Sequence, residues 1–377
     1  MATTSTTAEP GVLPARLLGR WRLDDPAGIA PGEPGGPSLR PLADDPGGRS
    51  WRLATGSAAF LLKEFTGALA RRHILFRHRV TRALADQGLP VPTAIPTRDG
   101  RTLVTAAGRR FALYPWVDGG RRGGLDLSLT QCHELGELLG RLHAALDRLT
   151  PPVQQTLLVP TSRADHTVAE IDRLLAAATS AGGGPDGLGD LDGLDGLDGL
   201  DGLDGLDGFD AHAVRRLRER RALLTDLADH QPPEIDTATV GYVHGDFHAG
   251  SLLYGRTRRV TAIVGWGRLA VAPYGGDLVR AAVLLFGHRD ERGLDLERVE
   301  AFVRGHAAEF PLDGGQIQAA VHRLWWERLC DVGALRRRHL GHDAASAEGC
   351  LVTWWTEHLD RTLDVFAAPY FTTPAAS

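Results

Sequence analysis

Residues 243–277, VHGDFHAGSLLYGRTRRVTAIVGWGRLAVAPYGGD, constrain the fold of this chain more than any other stretch. An apolar-rich run at 239–243 opens onto His244-Gly245-Asp246-Phe247-His248. The chain then turns through Ala249-Gly250-Ser251 into Leu252-Leu253-Tyr254, and a third apolar run at 260–264 leads to Gly265-Trp266-Gly267. Short apolar runs bounded by Gly and polar residues predict strand, loop, strand, turn, strand, with polar groups presented at the loops.

In spacing this stretch resembles the aminoglycoside phosphotransferase and choline kinase-like family, whose pattern is H-G-D, four residues, Asn, a downstream Asp-Trp and then Gly-Asp-Leu. The chain has His244-Gly245-Asp246, then Ser251 in the Asn position, Gly265-Trp266 in the Asp-Trp position, and Gly276-Asp277-Leu278. The resemblance implies an α+β, two-lobed protein-kinase-like fold, with a small antiparallel β N-lobe and a larger, mainly helical C-lobe. It implies the family reaction, transfer of the γ-phosphate of ATP (or GTP) to a substrate hydroxyl with Mg, and gives Asp246 the role of catalytic carboxylate. Asp277, by the same resemblance, caps and braces the catalytic loop. His244 and Phe247 shape it.

Lys63 lies in a run, 58–65, that pairs in pattern with 51–55 across a Gly-Ser turn, and 39–42 reads as a preceding strand. It is the only lysine among the 42 Lys and Arg residues. In so arginine-biased a chain, a retained ammonium points to a tight phosphate contact that a planar guanidinium does not reproduce. The resemblance makes Lys63 the strand lysine that holds the α and β phosphates. The following helix, 66–87, ends at Gly88 and contains no Glu to pair with Lys63. Glu64 is its neighbour, so strand alternation turns Glu64 to the other face. Further strands are expected at 102–105 and 110–114. Leu113-Tyr114-Pro115-Trp116-Val117-Asp118-Gly119 resembles the family's interlobe hinge, which implies cofactor-binding backbone groups near Trp116 and Val117 at the adenine edge; Pro115 itself has no N–H.

Residues 1–37 form a Pro/Gly-rich segment expected to be mobile, with 13–23 a short helix or strand and 26–37 a loop. Residues 38–117 make up the N-lobe, a nucleotide-binding sheet plus one helix. Residues 118–370 make up the C-lobe, carrying the catalytic loop and the substrate helices. Helices are expected at 128–149, 163–178, 211–230, 278–286, 296–309, 315–338 and 344–366. His133 and His143 ride on the first of these in a structural role, and Trp325, Trp326, Trp354 and Trp355 serve packing. Within this part, 187–210 repeats Leu-Asp-Gly with a period that suits neither helix nor strand, so it is expected to be a disordered insert. It lacks the Gly-Gly-x-Gly-x-Asp pattern of a calcium array.

The net charge is −5, but residues 186–210 hold nine Asp and no Lys or Arg, so the remainder carries about +4. The arginines are spread over many helices without an aromatic platform, which argues against a nucleic-acid partner. The start has no basic residue or apolar core of a leader, and no apolar run approaches eighteen residues; a cytoplasmic protein with no membrane partner is expected. Cys132, Cys330 and Cys350 are far apart, as reduced, buried cysteines would be.

Phosphoryl transfer needs a carboxylate for the attacking hydroxyl, a cation for the phosphates and magnesium. Asp246 and Lys63 answer the first two. Ser251 and Gly265 fall at the metal-ligand positions and supply no carboxylate, so no metal ligand is assigned. The favoured reading is an impaired member or pseudokinase that still binds a nucleotide and an unknown small hydroxyl-bearing molecule. The alternative is an active ATP-dependent O-phosphotransferase with atypical metal binding. A third reading uses the alternation of His244, Asp246 and His248, which on an extended segment would share one face as ligands of a metal-dependent hydrolase. A P-loop is excluded because no G-x-x-x-x-G-K-[ST] is present.

Overall fold

Period-two alternation between Gly48 and Phe65 builds the sheet on which the N-terminal part rests. The computed structural model of the chain describes residues 15–21, 23, 38–42, 48–56, 58–66, 70–149, 156–158, 161–180, 211–233, 235–288, 290–333 and 342–371. The loop expected at 26–37 and the insert at 187–210 lie outside the described residues, as does most of the segment expected to be mobile. Two compact units are formed: Met1–Arg122 with Ala145–Pro151 and His244–Ala270, and Gly123–Ala144 with Pro152–Val243 and Val271–Ser377.

In the first unit, α1 (Ala15–Leu18) precedes five strands, β1 (Ser38–Pro41), β2 (Gly48–Ala54), β3 (Ala59–Phe65), β4 (Val104–Ala106) and β5 (Arg109–Pro115). They pair antiparallel in the order β1-β2-β3-β5-β4. Trp51 stands opposite Leu62, and Leu62 opposite Leu113. With Leu53 and Phe111 these residues form one face, which packs on Leu17, Leu18 and Trp21. Each such side chain, fully buried, stabilises the fold by roughly 1.5–3 kcal/mol. The opposite face carries Ala112, Phe65 and Tyr114 and is covered by α2 (Arg71–Asp86) through Ile74 and Leu75. Gly88, at φ +83°, ends α2. Its N–H bonds Ala85 O at 2.9 Å and the Leu89 N–H bonds Leu84 O at 3.1 Å, the paired bonds of a left-handed helix stop. The unit is completed by the hairpin of β9 (Leu252–Tyr254) and β10 (Val260–Ile263).

The second unit is mainly helical. α3 (Leu129–Leu149) begins in it, and α4 (Ala164–Ser180), α5 (Ala211–Asp226), α6 (Tyr274–Phe286), α7 (Leu296–Glu309), α8 (Gly314–Cys330), α9 (His342–Glu357) and α10 (Leu359–Phe371) follow. Two small pairs accompany them: β6 (Thr156–Leu158) with β7 (Ile235–Thr237), and β8 (Val240–Val243) with β11 (Ala270–Pro273). α6 is apolar around most of its circumference and is accordingly buried along most of its length. α3 and α7 meet backbone to backbone. A Cβ on Gly136 would lie 1.9 Å from Phe302 O, and one on Gly305 would lie 2.1 Å from His133 O. Trp325, Trp326 and Trp355 are core residues.

The α+β class expected from the sequence is the one found. The last helix differs. Expected as one run over 344–366, it is two, which meet at His358; there Trp354 O accepts both the His358 N–H at 3.1 Å and, at 2.8 Å, the His358 ring. The helix expected over 315–338 ends at Cys330; residues 334–341 lie outside the described residues. Cys132, Cys330 and Cys350 are free, the first two buried. No described helix is long and apolar enough to cross a membrane.

The glycines separate two kinds of constraint. Chemical denaturation should show Gly305→Ala losing about 3 kcal/mol, or failing to accumulate as folded protein, because a backbone carbonyl blocks the new methyl. Gly88→Ala, with open space around the added Cβ, should lose only about 1 kcal/mol from its left-handed conformation. Equal losses would contradict the close approach of α3 and α7.

Candidate active site

The loop after β8 is shaped by a buried imidazole. His244 is fully buried. Its Nδ1 accepts the Asp246 N–H at 3.2 Å and its Nε2 lies 3.0 Å from Val264 O, so Nε2 carries the proton. The ring also meets the edge of Trp266, with centroids 4.7 Å apart. Gly245, at φ +76°, lets the chain turn between them, and a Cβ there would lie 2.6 Å from Arg268 O. Asp246 emerges from this turn half-exposed. Its two carboxylate oxygens stand 3.8 Å from Arg268 Nε and 3.7 Å from His248 Nε2.

His248 and Ser251 close the next turn on each other. His248 Nδ1 accepts the Gly250 N–H at 3.0 Å, which leaves the Nε2 proton facing Asp246. Ser251 Oγ accepts the His248 N–H at 2.9 Å and donates to His248 O at 2.8 Å. The hydroxyl is buried and committed to the loop. Gly265 has φ +85°, a conformation that disfavours most side chains, and a Cβ on it would meet only Ser251 Cβ at 3.6 Å and His244 Cε1 at 4.0 Å. The three-ligand metal site expected as an alternative at His244, Asp246 and His248 is not formed. Both nitrogens of His244 serve backbone groups, and no three His, Cys, Asp or Glu side chains converge as a metal site among the described residues.

Lys63 lies on β3 opposite Ala112, with its Nζ 6.0 Å from the Phe65 ring centroid, on the sheet face that α2 covers. Glu64 points the other way, as alternation requires, and is buried against Arg109, whose Nε lies 2.6 Å from Glu64 Oε1. From α2 the inward polar group is His78, at 2.9 Å from both Tyr114 OH and Thr102 Oγ1. Burial, reinforced by the neighbouring Arg77 charge, lowers its pKa to about 4. Arg77 reaches out of the same helix and donates to Gly267 O. In the hinge, the Trp116 N–H is already bonded to Ala59 O at 3.0 Å, so it cannot serve a ligand while that sheet bond holds. The Trp116 ring lies under the Arg52 guanidinium, 5.1 Å from its centroid. Beyond the hinge, Gly120 exchanges backbone bonds with Tyr254 at 3.0 and 2.9 Å, and Arg121 Nε bonds Gly250 O at 3.1 Å.

In the second unit, Asp277 is buried and 3.1 Å from His143 Nε2. His143 Nδ1 is 2.9 Å from His306 Nε2, and His306 Nδ1 is 2.6 Å from Tyr370 OH. Burial holds the His306 pKa well below its ordinary value, so the ring is neutral. One polarity satisfies every link: Tyr370 donates to His306, His306 to His143, and His143 to the carboxylate. Sequence reading gave His143 a structural role but missed His306 and Tyr370. Their partners lie 163 and 64 residues away, beyond any local spacing signal.

A family model described as "Phosphotransferase enzyme family" matches residues 38–312. A homoserine kinase of Rhodopseudomonas palustris is 30% identical over 110 residues, 29% of this chain and 32% of that protein. A homoserine kinase of Pseudomonas aeruginosa is 44% identical over 62 residues, 16% of this chain and 19% of that protein. The matches thus span less than a third of these curated relatives. Among solved structures, a microcompartment-associated aminopropanol kinase aligns with TM-score 0.54 at 16% identity, covering 93% of this chain and 98% of that one. The amicoumacin kinase hAmiN, in complex with AMP-PNP, Ca2+ and Ami, aligns with TM-score 0.52 at 16% identity, covering 88% and 90%. At such identities the likeness shows a shared kinase-like fold.

His78 gives the first unit an acid limit. From its ordinary pKa of 6.5 down to about 4, the unfolded chain binds a proton that the folded chain refuses. Stability therefore falls as pH falls through that window, by up to about 3 kcal/mol. His78→Gln removes the titration. Denaturation between pH 7 and pH 4.5 should show the variant losing less stability on acidification than the parent; parallel losses would exclude His78 as the source.

Proposed function

Because this chain belongs to the phosphotransferase enzyme family, we propose that it binds ATP or GTP and a small hydroxyl-bearing molecule, and that its phosphoryl transfer is strongly impaired. The pair at 251 and 265 carries this reading. It is supported by Asp246 on a loop fixed by His244, by Lys63 on the sheet face under α2, and by Val117 following Trp116 in the chain. With the Trp116 N–H held by Ala59, the nucleobase edge falls to the Trp116 carbonyl and the Val117 N–H. The relatives named as kinases of homoserine, aminopropanol and amicoumacin support a small-molecule substrate.

The residues present do not fit magnesium. This hard cation is usually anchored by one or two carboxylates together with phosphate oxygens and water. The Ser251 hydroxyl is buried in its bonds to His248, and Gly265 has no side chain. Of the three expected positions 246, 251 and 265, Asp246 alone carries a carboxylate, with Arg268 and His248 already beside it. Its carboxylate still suits the role of receiving the proton of a bound hydroxyl. Without a divalent ion at the transferring phosphate, a loss of ~10³-fold or more in rate is expected.

A coupled transfer assay with magnesium and with manganese tests this. The parent protein should turn over near background, and Ser251→Asn with Gly265→Asp should raise turnover at least about tenfold. The Asp is sterically accommodated at 265, where the nearest atom would be 3.6 Å away, and it tolerates a left-handed φ better than most residues. Turnover by the parent in the ordinary kinase range of ~1–100 s⁻¹ would instead establish an active enzyme with atypical metal use.

A further inference from the structure

Among the described residues, Arg77 is a charge without a counter-charge. It projects from the middle of α2 and donates to Gly267 O, and among the described residues no carboxylate contacts it. The guanidinium is half-buried, and burial is the main influence lowering its pKa. A desolvated cation whose only bonded partner is a carbonyl is costly to hold, and an anion beside it removes that cost.

Its place is as informative as its charge. Arg77 interacts electrostatically with Tyr114, which pairs with Leu61 on β3. Lys63 is therefore the diagonal neighbour of Tyr114 on the same sheet face, at roughly 7–8 Å. On its other side Arg77 holds the carbonyl of Gly267, next to Arg268, whose Nε stands 3.8 Å from Asp246. Lys63, Tyr114, Arg77, the Gly267 turn and the Arg268–Asp246 pair thus follow one another as neighbours, all within the first unit. Gly265 supplies no carboxylate for a metal, while Arg77 bonds the carbonyl of Gly267 and Arg268 is the next residue in the chain.

We propose that Arg77, together with Arg268, receives the polyphosphate of the nucleotide in place of a divalent ion, so that the nucleotide binds metal-free. This rests on the nucleotide-binding reading above. Guanidinium groups suit this role because they are permanently charged and present paired donors to phosphate oxygens. Magnesium in solution then competes with the protein for the same oxygens instead of bridging to it.

Titration calorimetry with ATP and with adenosine, in EDTA and in excess magnesium, tests the proposal. The parent protein should bind ATP in EDTA at least as tightly as in magnesium, and at least about tenfold tighter than adenosine, a ratio set by charge-assisted bonds to phosphate. Arg77→Met should weaken ATP binding about tenfold while leaving adenosine binding unchanged, which also shows that the variant is folded. Arg268→Gln, at a side chain 64% exposed, should lower ATP affinity alone. An ATP interaction that requires magnesium overturns the proposal and leaves nucleotide binding intact; so does an equal loss of ATP and adenosine in Arg77→Met, which marks a purely structural clamp on Gly267. If Arg77→Met does not fold, the metal dependence of the parent decides. Failure of the parent to bind either ligand removes the nucleotide reading itself.

Discussion

The candidate site depends on two hydrogen bonds made by one buried ring. His244 takes the Asp246 N–H on one nitrogen and gives its proton to Val264 O with the other. Each bond is worth about 1 kcal/mol net, but a buried nitrogen left unsatisfied costs about 1–3 kcal/mol. Both bonds must therefore form together, and together they set the tautomer. They also fix where Asp246 leaves the loop and where β10 ends and the Gly265 turn begins. Gly245 follows from the same constraint, since only a residue without a side chain fits against Arg268 O. The Trp266 ring stands against the imidazole and donates to Ile263 O at 3.0 Å, which ties the turn back to β10.

What the sequence disclosed was what is local. The strand-loop-strand-turn-strand order of 240–263 is carried by short apolar runs and glycines, and the elements fall within a residue or two of their expected ends. Alternation placed Lys63 and Glu64 on opposite faces, and the buried Glu64–Arg109 pair bears this out. What was hidden is non-local or already occupied. Nothing near Arg77 in sequence announces Gly267, 190 residues on. The Trp116 N–H looked free because its partner, Ala59, lies on another strand. β6, β7 and β11, each of three or four residues, carry too few alternations to register as strands.

The buried row in the second unit shows how a buried carboxylate can be joined to a chain of hydrogen-bonded side chains. Asp277 receives a proton donor from His143, which is oriented in turn by His306 and Tyr370. The neutral His306 ring adds no charge to the core, and each link satisfies a polar atom that burial would otherwise strand. The close packing of α3 on α7 through Gly136 and Gly305 keeps His143 and His306 within hydrogen-bonding distance. A glycine contact and a polar row thus depend on each other, and neither is legible from residue type alone.

On the metal-free proposal, Gly265 marks a change in the sign of charge and not only a missing carboxylate. α2 carries Arg71, Arg72, Arg77, Arg79 and Arg82 against a single acid, Asp86, in its last turn. Its inward polar residue is the neutral His78. The helix therefore brings net positive charge to a sheet face that already holds Lys63. In a site built around a divalent ion, that excess would oppose the ion. Here the turn after Gly265 accepts Arg77 at Gly267 O, and on the metal-free proposal the protein's own cations take the electrostatic role. A bound polyanion would then stabilise the folded first unit in proportion to its concentration relative to its dissociation constant. Ligand and fold become linked through the charge balance of α2, with Arg77 as the residue where the two meet.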